Sequence, residues 1–354
     1  MTLKIGIIGC GHIGTFHARN LRDLSTREGM AVSYDGVCDH ELGRAEAFAR
    51  IAGCNLATTE PTQLIEHCDA VYVCTETAEH PALVAAAAQA GKHIFCEKPL
   101  ATNLAQAELM ANAVANAGVT HQVGLVLRHS PVFRVLEDLI QDQDLGQLLT
   151  AHMRDDQFFP VRGSYGSTWR GDVARAGGGA LLEHSIHDVD LFRRLFGEVA
   201  AVSCHSRNVT GHPGIEDLAM VTFRHAGGHH TTLSSIWHSI DSRESSRSLE
   251  IFFERGRFTT EHDYFGSVTY QLNDQPPVTL SSEEVLMRFM TLERLDPRAE
   301  DLRSLAALSD RRFLEAVTAG TPAVPDFHTA VASHRVVDAC YRSAAAGTEI
   351  ALTS

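Results

Sequence analysis

Over the first 125 residues, short runs of β-branched and aromatic side chains are separated by longer alanine-rich stretches of helical period. Alternation of this kind is how βαβ units and a parallel sheet appear in a sequence. The pattern predicts strands at residues 4–8, 31–38, 55–57, 70–74, 93–96 and 121–126. Helices lie between them, clearest at 80–90 and 104–117, where alanine, the strongest helix former, dominates. Six strands so ordered predict a doubly wound parallel sheet of the α/β class.

Beyond residue 126 the texture changes. A helix is predicted at 132–141, then a Gly/Arg-rich stretch at 161–179 and a continuous helix over 180–196. Alternating apolar and polar residues at 200–205, 219–223, 230–237, 248–253 and 266–272, separated by turn residues, predict a largely antiparallel sheet. Helices return at 299–319 and 327–346, the latter behind Pro322 and Pro325 with Asp326 as a cap. The reading is therefore two domains. Residues 1–125 form the first, and 126–354 an α+β domain with a large, mostly antiparallel open sheet, its last helix free to pack back on the first domain.

Length supports that division, because 354 residues exceed one ordinary core. The formal net charge of −14 argues against nucleic acid or an anionic membrane as partner, since both require a basic face. No apolar run is long enough to cross a bilayer and no secretory leader is evident, so a cytoplasmic protein with a small-molecule partner is expected. The eight cysteines show no CxxC spacing, and neither disulfides nor cysteine-bound zinc are expected.

Candidate chemistry sharpens the picture in three places. Gly9-Cys-Gly11-His12-Ile13-Gly14 has the form G-x-G-x-x-G, follows a strand and opens a helix. Gly9 permits the turn, Gly11 lets a pyrophosphate approach the backbone, and Gly14 allows close packing at a helix N-terminus that attracts the anion. Asp39, at the end of the second strand, suits the ribose hydroxyls and favours NAD, with Asp35 as a rival. His40 leaves NADP open, and Arg44 is expected to lie too far into the next helix to matter.

The second place is Glu97-Lys98-Pro99, where a strand ends on the side of the sheet at which ligands bind, so Lys98 is expected at the reacting centre. The Lys98–Pro99 bond is one that can be cis at low cost. The third is Gly177-Gly-Gly-Ala-Leu-Leu-Glu183-His-Ser-Ile-His187-Asp-Val-Asp190. On a continuous helix Glu183 and His187 share a face. The remaining acids, Asp188 and Asp190, are expected to be solvated or to pair with Arg193 and Arg194. A metal site built from Glu183, His184, His187 and Asp190 is disfavoured, because a dinucleotide and a lysine already account for the cluster.

Taken together, these motifs and Asp338-Ala-Cys-Tyr341-Arg-Ser resemble the family of glucose–fructose oxidoreductase, inositol dehydrogenase and the rhizopine-catabolism protein MocA, over nearly the whole chain. The resemblance implies an N-terminal Rossmann domain, an NAD(P)-dependent oxidation of sugars or polyols, and a homodimer or homotetramer joined through the open sheet face. It puts the catalytic lysine on Lys98, the family aspartate on Glu183 and the histidine on His187. Thr75, His80, Trp169 and Arg170 fall near the cofactor, and Arg128 near the substrate. Two departures stand out: Glu183 replaces the family aspartate and Glu76 the family proline.

In the expected mechanism His187 takes a hydroxyl proton while hydride leaves the same carbon, Lys98 stabilises the developing alkoxide, and Glu183 orients the histidine or a neighbouring hydroxyl. The alternatives are a lyase or glycosidase that uses NAD transiently, and a non-catalytic sensor of dinucleotide or sugar.

Overall fold

The computed structural model describes residues 2–162, 166–295 and 307–352. The chain divides into two compact units. The first takes in Met1–Leu125, Ala174–Gly177 and Glu300–Val331, and the second Val126–Val173, Gly178–Ala299 and Ala332–Ser354. Each unit thus draws on the chain three times.

In the first unit, strands β1 (Leu3–Ile8), β2 (Val32–Cys38), β3 (Leu56–Thr58), β4 (Ala70–Val73), β5 (His93–Cys96) and β6 (His121–Val123) form one parallel sheet in the order β3-β2-β1-β4-β5-β6. Helix α1 (His12–Thr26) follows β1. β4 is buried at every position, as a central strand covered on both faces must be, which is why it reads as a continuous apolar run rather than an alternation. Tyr72 and Phe95 stack at 4.8 Å, and Phe313 of helix Leu308–Ala319 meets both edge-on. The strand order reverses between β1 and β4, and in such sheets the ligand crevice opens beyond the carboxyl ends of the strands at that point.

The second unit is built on nine strands: β7 (Leu148–Phe158), β8 (Val199–Arg207), β9 (Leu218–His225), β10 (His230–His238), β11 (Ser246–Phe253), β12 (Gly256–Thr260), β13 (Val268–Leu272), β14 (Val278–Leu280) and β15 (Ile350–Ala351). Their order is β14-β13-β12-β11-β7-β10-β9-β8-β15. Every pairing is antiparallel except that of β7 with β10. Alternate residues of β10, Leu233, Ser235 and Trp237, are buried. Phe223 of β9 meets Phe192 of helix Ile186–Phe196 at 5.3 Å.

Two departures from the sequence pattern bear on the site. β7, central in the sheet, was not foreseen, and the helix expected over 180–196 is broken. A wide π-turn spans Ala180–His184, and a regular helix starts only at Ile186. The helix expected at 299–319 is present at Leu308–Ala319, while 299–306 lies outside the described residues. All eight cysteines are free thiols.

Candidate active site

The turn between β1 and α1 has the geometry its glycines demand. Gly9 has φ of 100°, and a Cβ at Gly14 would collide with the Gly9 carbonyl. At Gly11 a Cβ would meet no protein atom within 4 Å, so packing within the chain is not what calls for glycine there. Helix α1 begins with no side-chain cap and no acid in its first turn, and the positive end of its dipole there suits an anion. His12 and Ile13 form that first turn, His12 exposed and Ile13 half-buried. The residues fit a dinucleotide pyrophosphate.

Asp39 follows the last residue of β2, and Asp35 lies inside the strand, where it pairs with Lys4 at 3.4 Å. The Asp39 carboxylate accepts the main-chain N–H of Cys10 at 2.9 Å and that of Glu41 at 3.0 Å, so it braces the glycine turn between β1 and α1. Arg44 is closer than its place in the sequence suggested, its Nη1 3.5 Å from Asp39.

Around the ends of β4 and β5, His80 is buried with its Nδ1 3.1 Å from the Pro99 carbonyl and its Nε2 3.2 Å from that of Thr75. The ring lies between the Thr75 loop and the turn after Lys98, and Thr75 itself is half-buried. The Lys98–Pro99 bond is cis. Lys98 is half-buried, and its main-chain N–H donates to the carboxylate of the buried Glu97 at 3.1 Å. Glu76, in place of the family proline, forms an ion pair with Arg175.

In the second unit the glycines before Ala180 are required by close approach. A Cβ at Gly178 would strike the Tyr341 hydroxyl, and one at Gly179 the Glu216 main chain. The Glu216 carboxylate accepts the N–H of Gly179 at 2.7 Å, that of Leu181 at 2.9 Å and the Tyr341 hydroxyl at 2.9 Å. Burial raises its pKa against those donors. Held at both ends, by Glu216 and by the Ser185 hydroxyl bonded to Asp155 at 2.6 Å, the segment closes with Ser185 N–H on the Ala180 carbonyl at 2.9 Å. That i→i−5 bond makes the wide turn and interrupts the helix.

Glu183 and His187 therefore lie on different segments rather than one continuous helical face. Glu183 is buried and accepts from Arg170 Nε at 3.0 Å, and the Arg170 guanidinium lies 4.2 Å from the centre of the Trp169 ring. His187 is buried in the first turn of Ile186–Phe196. Arg128 forks onto Asp190 with bonds of 2.6 and 2.8 Å.

The expectation for Asp188 is corrected, while that for Asp190 holds in part, through an ion pair with Arg193. Both are buried, at 0 % and 1 % exposure. Asp190 takes Arg128, with Arg193 at 3.7 Å, whereas Arg193 and Arg194 bond chiefly to Glu198 and Glu137. Asp188 accepts from Arg247 Nε at 2.8 Å, and Arg247 also reaches His184 at 3.0 Å and Asp263 at 2.8 Å. His184 stands 3.1 Å from Asp155. Burial works against a charge on Asp155, but Arg247 and His184 outweigh it and hold this carboxyl well below the usual range. Burial together with the neighbouring Asp155 charge pushes Asp188 well above it, against the pull of Arg247.

Comparison with known proteins agrees with both halves. Residues 3–125 match the oxidoreductase family with an NAD-binding Rossmann fold, and 133–259 the GFO/IDH/MocA C-terminal domain. The chain is 30% identical to myo-inositol 2-dehydrogenase of Thermotoga maritima over 73% of its length and 75% of the relative's. It is 26% identical to inositol 2-dehydrogenase of Rhizobium meliloti over 99% and 100%. In fold it is similar to levoglucosan dehydrogenase in complex with NADH and levoglucosan, with a TM-score of 0.87, 21% identity and both chains covered in full at 100%. An inositol dehydrogenase homolog from Azotobacter vinelandii complexed with NAD+ gives 0.83 at 21% identity over 99% and 98%. The chain belongs to the Gfo/Idh/MocA family of NAD(P)-dependent oxidoreductases acting on CH–OH groups.

Proposed function

We propose that this protein oxidises a secondary hydroxyl of a neutral sugar, inositol or related polyol, with NAD as hydride acceptor and Lys98 and His187 as the acid–base pair. The observation that carries the neutral substrate is the pairing of arginines. Arg128, Arg170 and Arg247 are each bonded to a buried carboxyl group of the protein, on Asp190, Glu183 and Asp188. A site for a sugar acid or phosphate ester would keep a guanidinium fork for the ligand. The relatives named for inositol oxidation support the same class.

In this reading bound NAD supplies the carbon that accepts hydride from the alcohol. His187 accepts the hydroxyl proton, as a group of near-neutral intrinsic pKa can. Lys98 donates a hydrogen bond to the same oxygen and stabilises it as negative charge develops. Glu183 is held by Arg170, so its part is to fix a neighbouring hydroxyl of the substrate. The Asp39 carboxylate favours NAD, since a 2′-phosphate would meet its charge; His40 and Arg44 beside it leave weak use of NADP.

Absorbance at the reduced-nicotinamide band tests this, with NAD and then NADP offered alongside a panel of inositols, aldoses and sugar acids. Neutral polyols should be turned over with kcat/KM at least about tenfold above the corresponding acids, a gap of about 1.4 kcal/mol in transition-state binding. Turnover confined to the acids would refute the neutral-substrate reading, and binding of NAD without turnover of any alcohol would refute the dehydrogenase.

A further inference from the structure

His17 lies in α1, one turn beyond the glycine motif, and is fully enclosed. Its Nδ1 is 2.6 Å from Asp310 Oδ1 and its Nε2 2.9 Å from Glu97 Oε1. A neutral imidazole has one N–H and would turn a lone pair toward one of these carboxylates, so the arrangement calls for the doubly protonated ring. The remaining oxygens are used as well. Asp310 Oδ2 accepts Asn20 Nδ2–H at 2.7 Å, and Glu97 Oε2 accepts the main-chain N–H of Lys98 at 3.1 Å. The rings of Tyr72 and Phe95 lie 5.2 and 4.9 Å from that of His17. Gly124 leaves room for the Glu97 carboxylate, because a Cβ there would stand 2.6 Å from Oε1.

A buried set of three charges is a poor device for stability alone, since apolar side chains of similar volume would join helix to sheet at least as well. What apolar side chains cannot do is fix a carboxylate in one orientation, and here that carboxylate holds the backbone of the residue proposed to touch the reacting oxygen. We propose that His17, acting through Glu97, is a positioning residue for Lys98. The ring locks Glu97 between α1 and β5, and Glu97 locks the main chain from which Lys98 projects. This rests on the reading of Lys98 given above.

The test compares His17→Gln, Asp310→Asn and Lys98→Met with the wild type. The readouts are kcat and KM for the best substrate of the panel, and Kd for NADH followed by its fluorescence. His17→Gln should lower kcat by about tenfold or more while Kd for NADH stays within about threefold, the split expected when a transition-state contact is misplaced. Asp310→Asn keeps the shape and removes one charge, and should move kcat in the same direction by less. Unchanged kcat in folded His17→Gln would overturn the proposal. So would a rise in Kd that matches the fall in kcat, since the cluster would then only support the phosphate turn. If His17→Gln does not fold, Asp310→Asn is judged by the same two criteria. A fully active Lys98→Met would sink the Lys98 reading and this proposal with it; an inactive Lys98→Met beside full kcat in His17→Gln would sink this proposal alone.

Discussion

At the scale of single residues, the positions legible in the sequence were those set by local chain geometry. The glycines of the β1–α1 turn, Asp39 after β2 and Lys98 after β5 all follow from strand ends. Asp188 was misread because the arginine that buries it comes from β11, 59 residues away in the chain. His17 passed unnoticed although a signal was present: it shares the buried stripe of α1 with Gly14, Ala18 and Leu21, where a histidine needs partners. Those partners give it a pH signature. Burial alone would lower the His17 pKa, but Asp310 and Glu97 overcome it and raise it to about 10, from an ordinary 6.5. A folded-state pKa above the unfolded one means that the stabilisation is complete below about 6.5 and is lost as pH rises toward 10. Between pH 7 and 9 wild-type stability should therefore fall more steeply than that of His17→Gln, by about 1 kcal/mol per pH unit in denaturant melts. Parallel slopes would mean that the ring is neutral.

At the scale of elements, what was missed has a common cause: polar residues held inside by distant partners. β7 carries Asp155, Asp156 and Gln157, all buried, which destroys the period-two apolar pattern by which a strand is read. Arg154 and Arg243 pair with Asp156, and Arg247 with Asp155. The break in the helix before Ile186 is likewise imposed from outside, by Glu216 and Asp155. Helix Ser282–Glu293 was legible and overlooked, for Ser281 and Glu284 form a capping box. The close approach at Gly179 predicts that Gly179→Ala loses about 2 kcal/mol or more, because the added methyl meets main chain that cannot swing aside. Gly43→Ala, inside a helix with nothing within 4 Å of the new carbon, should be neutral or gain up to about 1 kcal/mol. Equal effects of the two substitutions in urea melts would contradict this account of the glycine run.

At the scale of the whole molecule, the chain builds two sheets of different construction. The parallel sheet carries the dinucleotide turn and Lys98, and the mixed sheet supports the segment with Glu183 and His187. That division was readable because parallel and antiparallel sheets write different periodicities, continuous in one and alternating in the other. The first unit's later contribution, which includes the Asp310 that holds His17, was not, since helical period alone does not say which core a helix joins. The central proposal is that His187 takes the hydroxyl proton of the substrate while Lys98 stabilises the oxygen that loses it. Its most direct test is single-turnover hydride transfer to NAD in Lys98→Met and His187→Ala, beside Kd for NADH in the same proteins. Each variant should slow transfer by about a hundredfold or more with Kd within about threefold of wild type. Wild-type transfer rates in either variant, or a loss of NADH binding that accounts for the slowing, would contradict it.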